Sequence, residues 1–469
     1  MAHTGTQAVT PQADVAAALG AFAARLRFAQ IPPEAVHRAK QIVLDTVGTA
    51  LGGYRAGFGP QVVAFTRRTA PGDVATVLGD GARVSMEGAA FANATMAKML
   101  GMDDSHRAYG HVAAEVLPAA LAATESRGGS GRELIVALVA AYEVFGRVGR
   151  QVRRTQIARG FDIKGTVGAL GSAVAAAVGL GLEAEQVAHA LALATALGSG
   201  LETYVHDPAR THTKDLISGF AARNGVFAAL LAQDGFRGPR GALEEEAGFG
   251  QAFGDGFDAE RALEGLGERF EITTTGFKPH AGCRHVHQGV DAALAARRQG
   301  PLDPDEIVEV EVATYRHAVD APFRTTPRPE TASAAGYSLP VATAVGLVFG
   351  GFYPEDIARF QDPRVEALAA KVRLRVDPAI EALYPERNGC AVRVRLRDGR
   401  VVAGAVTHAR GEPENMLTDE EFEEKFRRVS GDVLPADQRE RLIQRIWTLE
   451  EVEDVRELTR LASTGRLRA

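Results

Sequence analysis

Apolar residues recur at helical spacing through the first half of the chain, at Val15, Leu19, Phe22 and Leu26 and again at Val36, Val43, Val47 and Leu51. Each set lines one face of a helix, so both segments read as amphipathic helices. Pro33 suits the first turn of the second, where an amide hydrogen has no helical partner to lose. The same pattern predicts helices over 86–100, 113–126, 131–150, 165–180, 184–203 and 214–234. Strand signal is nearly absent as far as residue 265, apart from a short stretch near 75–78. Residues 1–12 read as a loose tail, and the rest of this region as a helical bundle.

Beyond it the periodicity changes from helical to alternating. VEVEVAT (308–314) and VRLRV (372–376) alternate cleanly, and AVRVRLRDGRVVAGAV (391–406) is two such runs joined by Asp398-Gly399, a hairpin turn. Helices over 284–298, 338–350 and 363–370 are interspersed, which makes an α+β unit. From Thr418 the pattern is helical again, with Thr418 and Glu421 at capping-box spacing. The final helices are expected to rejoin the first bundle. The predicted fold is therefore mainly α: a large all-helical domain built from both chain ends (1–270 and 410–469) plus a smaller α+β lid domain (271–409).

Composition narrows the function classes. Charged residues make up 24% of the 469, the net charge is −6 and no run of consecutive basic residues stands out, so a nucleic-acid partner is not expected. Cys283 and Cys390 are the two cysteines, and no charged segment followed by an apolar one opens the chain, which reads as a cytoplasmic protein with free thiols. GTVGALGSAVAAAVGLG (165–181) carries no charge, but it is short for a membrane span and built from small residues, so it reads as a closely packed core helix.

Four clusters carry candidate chemistry. GMDDSHRAYGH (101–111) holds Asp103, Asp104, His106 and His111; GFDIKG (160–165) holds Asp162 and Lys164. In THTKDL (211–216), Thr213 can cap a helix whose first turn contains Lys214, where free amides and the helix dipole favour an anion. KPHAGCRHVHQG (278–289) holds Lys278, His280, Cys283, Arg284, His285 and His287, without a standard zinc spacing, so no metal is expected. No phosphate loop or serine-nucleophile motif is present. Cations that bind carboxylates beside groups that move protons suit reactions at a carbon next to a carboxylate, which need no cofactor.

The order of motifs resembles the MmgE/PrpD family. The resemblance covers nearly the whole chain and rests on VLDTVGTALGG (43–53), FANATMAKMLGMDDSHRAYGH (91–111), Ser199-Gly200, TKDLISGFAARNG (213–225), the Lys278–His287 stretch and GEPENMLTDEEFEEKF (411–426). It implies a helical domain and an α+β lid with the active site between them, usually in a homodimer, and dehydratase, decarboxylase or epimerase activity on small carboxylates. By the same resemblance, Asp103, His111, Lys214 and His287 are expected to be catalytic and Asp104 and Lys278 to bind substrate. His106, Arg284 and His285 join the substrate-binding set. Gly101, Asp162 and Val341 stand where the family has an acid, a histidine and a tyrosine, Lys98 replaces another histidine, and Val112 replaces a proline. Asp162 and Lys164 are expected to take over part of the chemistry, Lys164 as a base if burial lowers its pKa. A lyase is the leading expectation, an epimerase or isomerase the next, and a non-catalytic metabolite-binding homologue the third.

Overall fold

The computed structural model describes residues 14–207, 211–300 and 302–464, so the loose tail expected at 1–12 lies outside the described residues. Nine helices form the first part: α1 Val15–Arg25, α2 Pro33–Arg55, α3 Gly59–Thr69, α4 Met86–Met99, α5 Ala113–Ser126, α6 Gly131–Ala158, α7 Ile163–Gly179, α8 Ala184–Ala194 and α9 Thr213–Gln233. Their apolar faces share one hydrophobic core with residues 417–462 of the C-terminal segment. α7, which carries no charge after Lys164, packs into this core with its Gly and Ala positions all buried. Such small residues let backbones approach: a Cβ on Gly165 would sit 1.8 Å from the Ser199 carbonyl. α9 is long and apolar enough to cross a membrane by length and composition, but 56% of that stretch is buried, as in a core helix.

A second core is built from residues 281–396, joined by Met102 and Val429. Its sheet contains β3 Ile307–Thr314, β4 Val372–Val376, β5 Cys390–Leu396 and β6 Val401–Val406 in the order β4-β3-β5-β6. β3 pairs parallel with β4, Val310 opposite Val372, and antiparallel with β5, Val310 opposite Val394. The parallel pair requires a crossover, supplied by the helical residues between 322 and 369. β5 and β6 form the expected hairpin, and Gly399 takes the φ of +88° that its turn requires.

Several elements depart from expectation. Pro71–Thr76 and Arg83–Val84 form a small antiparallel pair inside the helical part. α3 went unread because only Val62, Val63 and Thr66 are buried beyond its first residue. α6 runs on to Ala158, where its polar residues find partners: Arg153 donates to the Arg107 carbonyl at 3.1 Å and Thr155 to Asp255 at 2.6 Å. The helix expected over 184–203 stops at Ala194 because the Ser199 amide docks on the Gly165 carbonyl (3.2 Å), turning the chain into a 3₁₀ turn at Glu202–Val205.

The C-terminal return is pinned by a buried ion pair. Lys425, on the helix Asp419–Ser430, bonds Asp45 of α2 and donates to the Met102 carbonyl at 2.6 Å. Lys425→Met leaves Asp45 buried without its cation and is expected to cost about 3–5 kcal/mol at pH 8. Burial, eased by Lys425, raises the Asp45 pKa to about 6. Its protonation therefore favours the folded state: that contribution is full below about pH 4 and is lost as pH rises through its folded pKa. The penalty in the Met variant should thus shrink at pH 5. Urea denaturation at the two pH values measures it, and an equal penalty at both would refute the assignment.

Candidate functional site

The loop after α4 builds the first wall of the site. Gly101 turns the chain at φ +61°, the region that disfavours an aspartate, and its carbonyl accepts from Lys278 Nζ at 2.9 Å. Asp104 accepts from the amides of Val112 (3.1 Å) and Ala113 (2.9 Å) at the start of α5, from Tyr142 Oη (2.8 Å) and from Thr275 Oγ1 (3.2 Å). Its oxygens are thereby used up in holding the loop, so it is not placed to bind substrate.

Asp103 is the hub. Its Oδ2 lies 2.5 Å from Lys98 Nζ and 2.9 Å from His111 Nδ1, and its Oδ1 lies 3.6 Å from Lys278 Nζ. Burial opposes its ionisation, yet His111, Lys98 and Lys278 hold its pKa well below the usual carboxylate range. His111 Nδ1 also lies 2.6 Å from the Asp104 carbonyl. Both neighbours only accept, so Nδ1 carries the ring hydrogen and Nε2 is the basic nitrogen left for the cavity. Burial lowers the His111 pKa to about 3 against the pull of Asp103, with Lys98 and Lys278 adding to the fall, so the ring is neutral at pH 7.

The second wall comes from the start of α7. Asp162 caps that helix through the Lys164 amide (3.0 Å) and pairs with Lys164 Nζ at 2.6 Å. Tyr204 donates to Asp162 Oδ2 at 2.9 Å, while Lys164 Nζ lies 3.2 Å from the Tyr204 oxygen. The expectation that burial would make Lys164 a base is not met. Burial works in that direction, but Asp162 and Tyr204 outweigh it and hold its pKa well above the ordinary lysine value. Burial does depress Lys98 and Lys278, the latter to about 7; Asp103 resists both falls, and for Lys278 the charges of Lys98 and Lys214 add repulsion.

These walls enclose a cavity of about 270 Å³ lined by Lys98, Lys164, Lys214 and Lys278 together with His111 and Tyr204. Lys214 stands in the first turn of α9, its Nζ 5.6 Å from the Tyr337 ring centroid. That helix is capped at His212, so Thr213 is its first residue and not its cap. His106 also lines the cavity, but Nδ1 accepts from the Ala108 amide (3.0 Å) and Nε2 reaches Thr274 Oγ1 (3.0 Å), so both nitrogens are occupied. Arg284 faces the cavity while paired with Glu412 at 2.9 Å, and His285 faces it while its Nδ1 meets Tyr315 Oη at 2.8 Å.

His287 is absent from the lining. It shares a helix face with Arg284, three residues earlier, but is fully buried beneath it, with Arg284 Nη1 3.5 Å from its Nδ1. Val341 packs in the core of the α+β unit; phenols reach the cavity from Tyr204, Tyr337 and Tyr384. Tyr204 was missed in the sequence, although Ser199-Gly200 just before it marks the turn that delivers it.

Two groups have metal-compatible spacing, Asp103-Asp104-His111 and His408-Glu412-Glu414. In the first, Lys98 and Lys278 already neutralise Asp103; in the second, Arg284 holds Glu412 and Arg107 holds Glu414. Cations occupy what a metal would need. A wider groove of about 690 Å³ lies beyond Thr274, where Arg150 pairs with Glu271 at 2.7 Å and Arg269 with Glu264 at 3.2 Å. The smaller cavity is the candidate site.

Comparison with known proteins agrees in order and extent. The MmgE/PrpD N-terminal domain matches residues 17–262 and the MmgE/PrpD C-terminal domain residues 280–450. A cis-aconitate decarboxylase-like protein (oryM) of Aspergillus oryzae is 27% identical over 97% of this chain and 98% of its own. A cis-aconitate decarboxylase of Aspergillus terreus is 27% identical over 94% of each chain, and that of Homo sapiens 28% identical over 93% of this chain and 92% of its own.

The charge of Lys278 gives the cavity a pH dependence. Its folded pKa of about 7 lies below the ordinary lysine value of 10.5, so the group is cationic below pH 7 and neutral above. Binding of sulfate, a dianion throughout this range, is expected to weaken roughly tenfold between pH 6 and pH 8.5 as that charge is lost. Calorimetric titration across this range measures it. Lys278→Arg should keep the affinity at high pH and flatten the profile; a profile unchanged by that substitution would contradict the assignment.

Proposed function

The chain belongs to the MmgE/PrpD family, and from that premise we propose that it is a lyase-type enzyme moving a proton at a carbon beside a carboxylate of a small organic acid. The observation that carries this reading is the placement of His111. A neutral imidazole with a fixed tautomer opens its Nε2 onto a cavity that four lysines also line. The lysines bind carboxylate groups and stabilise the enediolate-like charge that forms when CO₂, water or a proton leaves. Bound anions also raise the pKa of His111, since they oppose the effect of Lys98 and Lys278. The imidazole thus becomes a competent proton acceptor only when substrate is present. Relatives named cis-aconitate decarboxylase make a di- or tricarboxylate the first substrate class to test.

Epimerisation is the second reading. It is favoured by proton-bearing groups on two walls, His111 on one and Tyr204 on the other, which suits removal from one face and return to the other.

The deciding experiment follows cis-aconitate, citrate and related di- and tricarboxylates in D₂O by NMR. Loss of CO₂ or water is expected, and C–H exchange without net product would select the epimerase. His111→Asn should lower kcat by roughly 10²–10⁴-fold, the usual contribution of a positioned acid–base group. Absence of turnover and exchange across the panel, with binding intact, would sink the enzyme reading.

A further inference from the structure

The proton-transfer reading leaves one position open. His111 is neutral and its Nδ1 hydrogen is committed to acceptors behind it, so it takes a proton and has none to give at first. Lysis or epimerisation beside a carboxylate leaves electron density on carbon or on a departing hydroxyl, and a donor must meet it. Asp162 occupies the position where the family resemblance places a histidine, and as an ion-paired carboxylate it carries no proton.

Resting on that reading, we propose that Tyr204 is the proton donor of this cavity, with Lys164 as the group that stabilises its phenolate. In the step, the Tyr204 hydroxyl, unlike a ring N–H, rotates its hydrogen from Asp162 Oδ2 to the substrate, the O–H bond breaks and a C–H bond forms at the carbanion, whose electron pair makes the new bond. For a dehydration the proton goes instead to the departing hydroxyl, which leaves as water. The phenolate oxygen stays beside the Lys164 ammonium and regains a proton from solvent after product leaves.

Three observations support this. The phenol lines the cavity, so its oxygen is within reach of a bound molecule. Its oxygen lies 2.9 Å from Asp162 Oδ2, which fixes its position, and 3.2 Å from Lys164 Nζ, which supplies the compensating charge against burial and Asp162, the two effects that hold the phenol in its protonated form. The two chain segments are clipped together, with the Asp162 amide on the Gly200 carbonyl at 3.0 Å and the Glu202 amide on the Gly160 carbonyl at 2.9 Å. That clip places the phenol to about the precision proton transfer requires. Lys164 is a poor donor itself, since Asp162 holds its ammonium.

The test begins with a carboxylate from the panel above that the wild-type protein turns over. Tyr204→Phe should lower kcat by roughly 10²–10³-fold with KM within about threefold, the split expected for an acid acting in the transition state. Lys164→Met should do the same, and Lys164→Arg should restore part of the rate. Because Phe could loosen the clip, a fluorinated tyrosine at position 204 supplies a second arm: its more acidic phenol should move the alkaline limb of the kcat profile to lower pH. Unchanged kcat in Tyr204→Phe, or an unmoved limb with the fluorinated residue, overturns the role of Tyr204 alone. Absence of wild-type turnover on the whole panel overturns the underlying reading and this one with it.

Discussion

Residues 101–104 impose the constraint on which the rest of the structure depends: two adjacent carboxylates and the backbone beside them are withdrawn from water at the point where three parts of the chain meet. Ionised groups are expensive to bury unless each finds partners. Met102 meets this through Lys425 of the C-terminal segment, Asp103 through Lys98, His111 and Lys278, and Asp104 through two amides and two hydroxyls. These partners come from helices on both sides of the chain and from the segment leading into the α+β unit. Satisfying the loop therefore fixes the return of the C-terminus, the start of α5 and the position of Lys278 together.

That dependence explains which parts of the fold were legible in the sequence. Local signals carried well: Pro33 at a helix start, the Thr418–Glu421 capping box and the Asp398-Gly399 turn are all settled by chemistry within a few residues. Failures came where a distant partner decides. The extension of α6 finds acceptors as distant in sequence as Arg107 and Asp255, and the early end of α8 depends on the approach of Ser199 to Gly165. A single sequence shows neither.

The candidate site divides in the same way. Residue types and spacing exposed His111, Lys214, Lys278 and the Asp162–Lys164 pair, because charged residues beside glycines stand out in an Ala-rich chain. The roles within the site were not readable, since they depend on which group neutralises which. Lys164 and Lys278 look alike in sequence, but the first shares a carboxylate at 2.6 Å and the second stands 3.6 Å from one already neutralised twice. One stays firmly protonated and the other is poised near neutrality. Tyr204 carried no motif; only the turn at Gly200 brings it beside Asp162.

The missing acid at position 101 can be understood from the same electrostatics. A carboxylate there would stand next to Asp103 and compete with it for Lys98 and Lys278, and a glycine at φ +61° replaces it by a carbonyl that accepts from Lys278 without adding charge. Lys98 in place of a histidine moves the balance further toward positive. Both changes leave the lysines of the cavity short of negative charge, so Asp103 does not offset the burial and the repulsion from Lys98 and Lys214 that depress the pKa of Lys278. An anionic ligand would make good that shortage, raising the pKa of Lys278 and of His111 together. Under the proposed function, substrate is then the group that completes the charge balance of the site, and the resulting protonation of Lys278 couples binding to proton uptake near neutral pH.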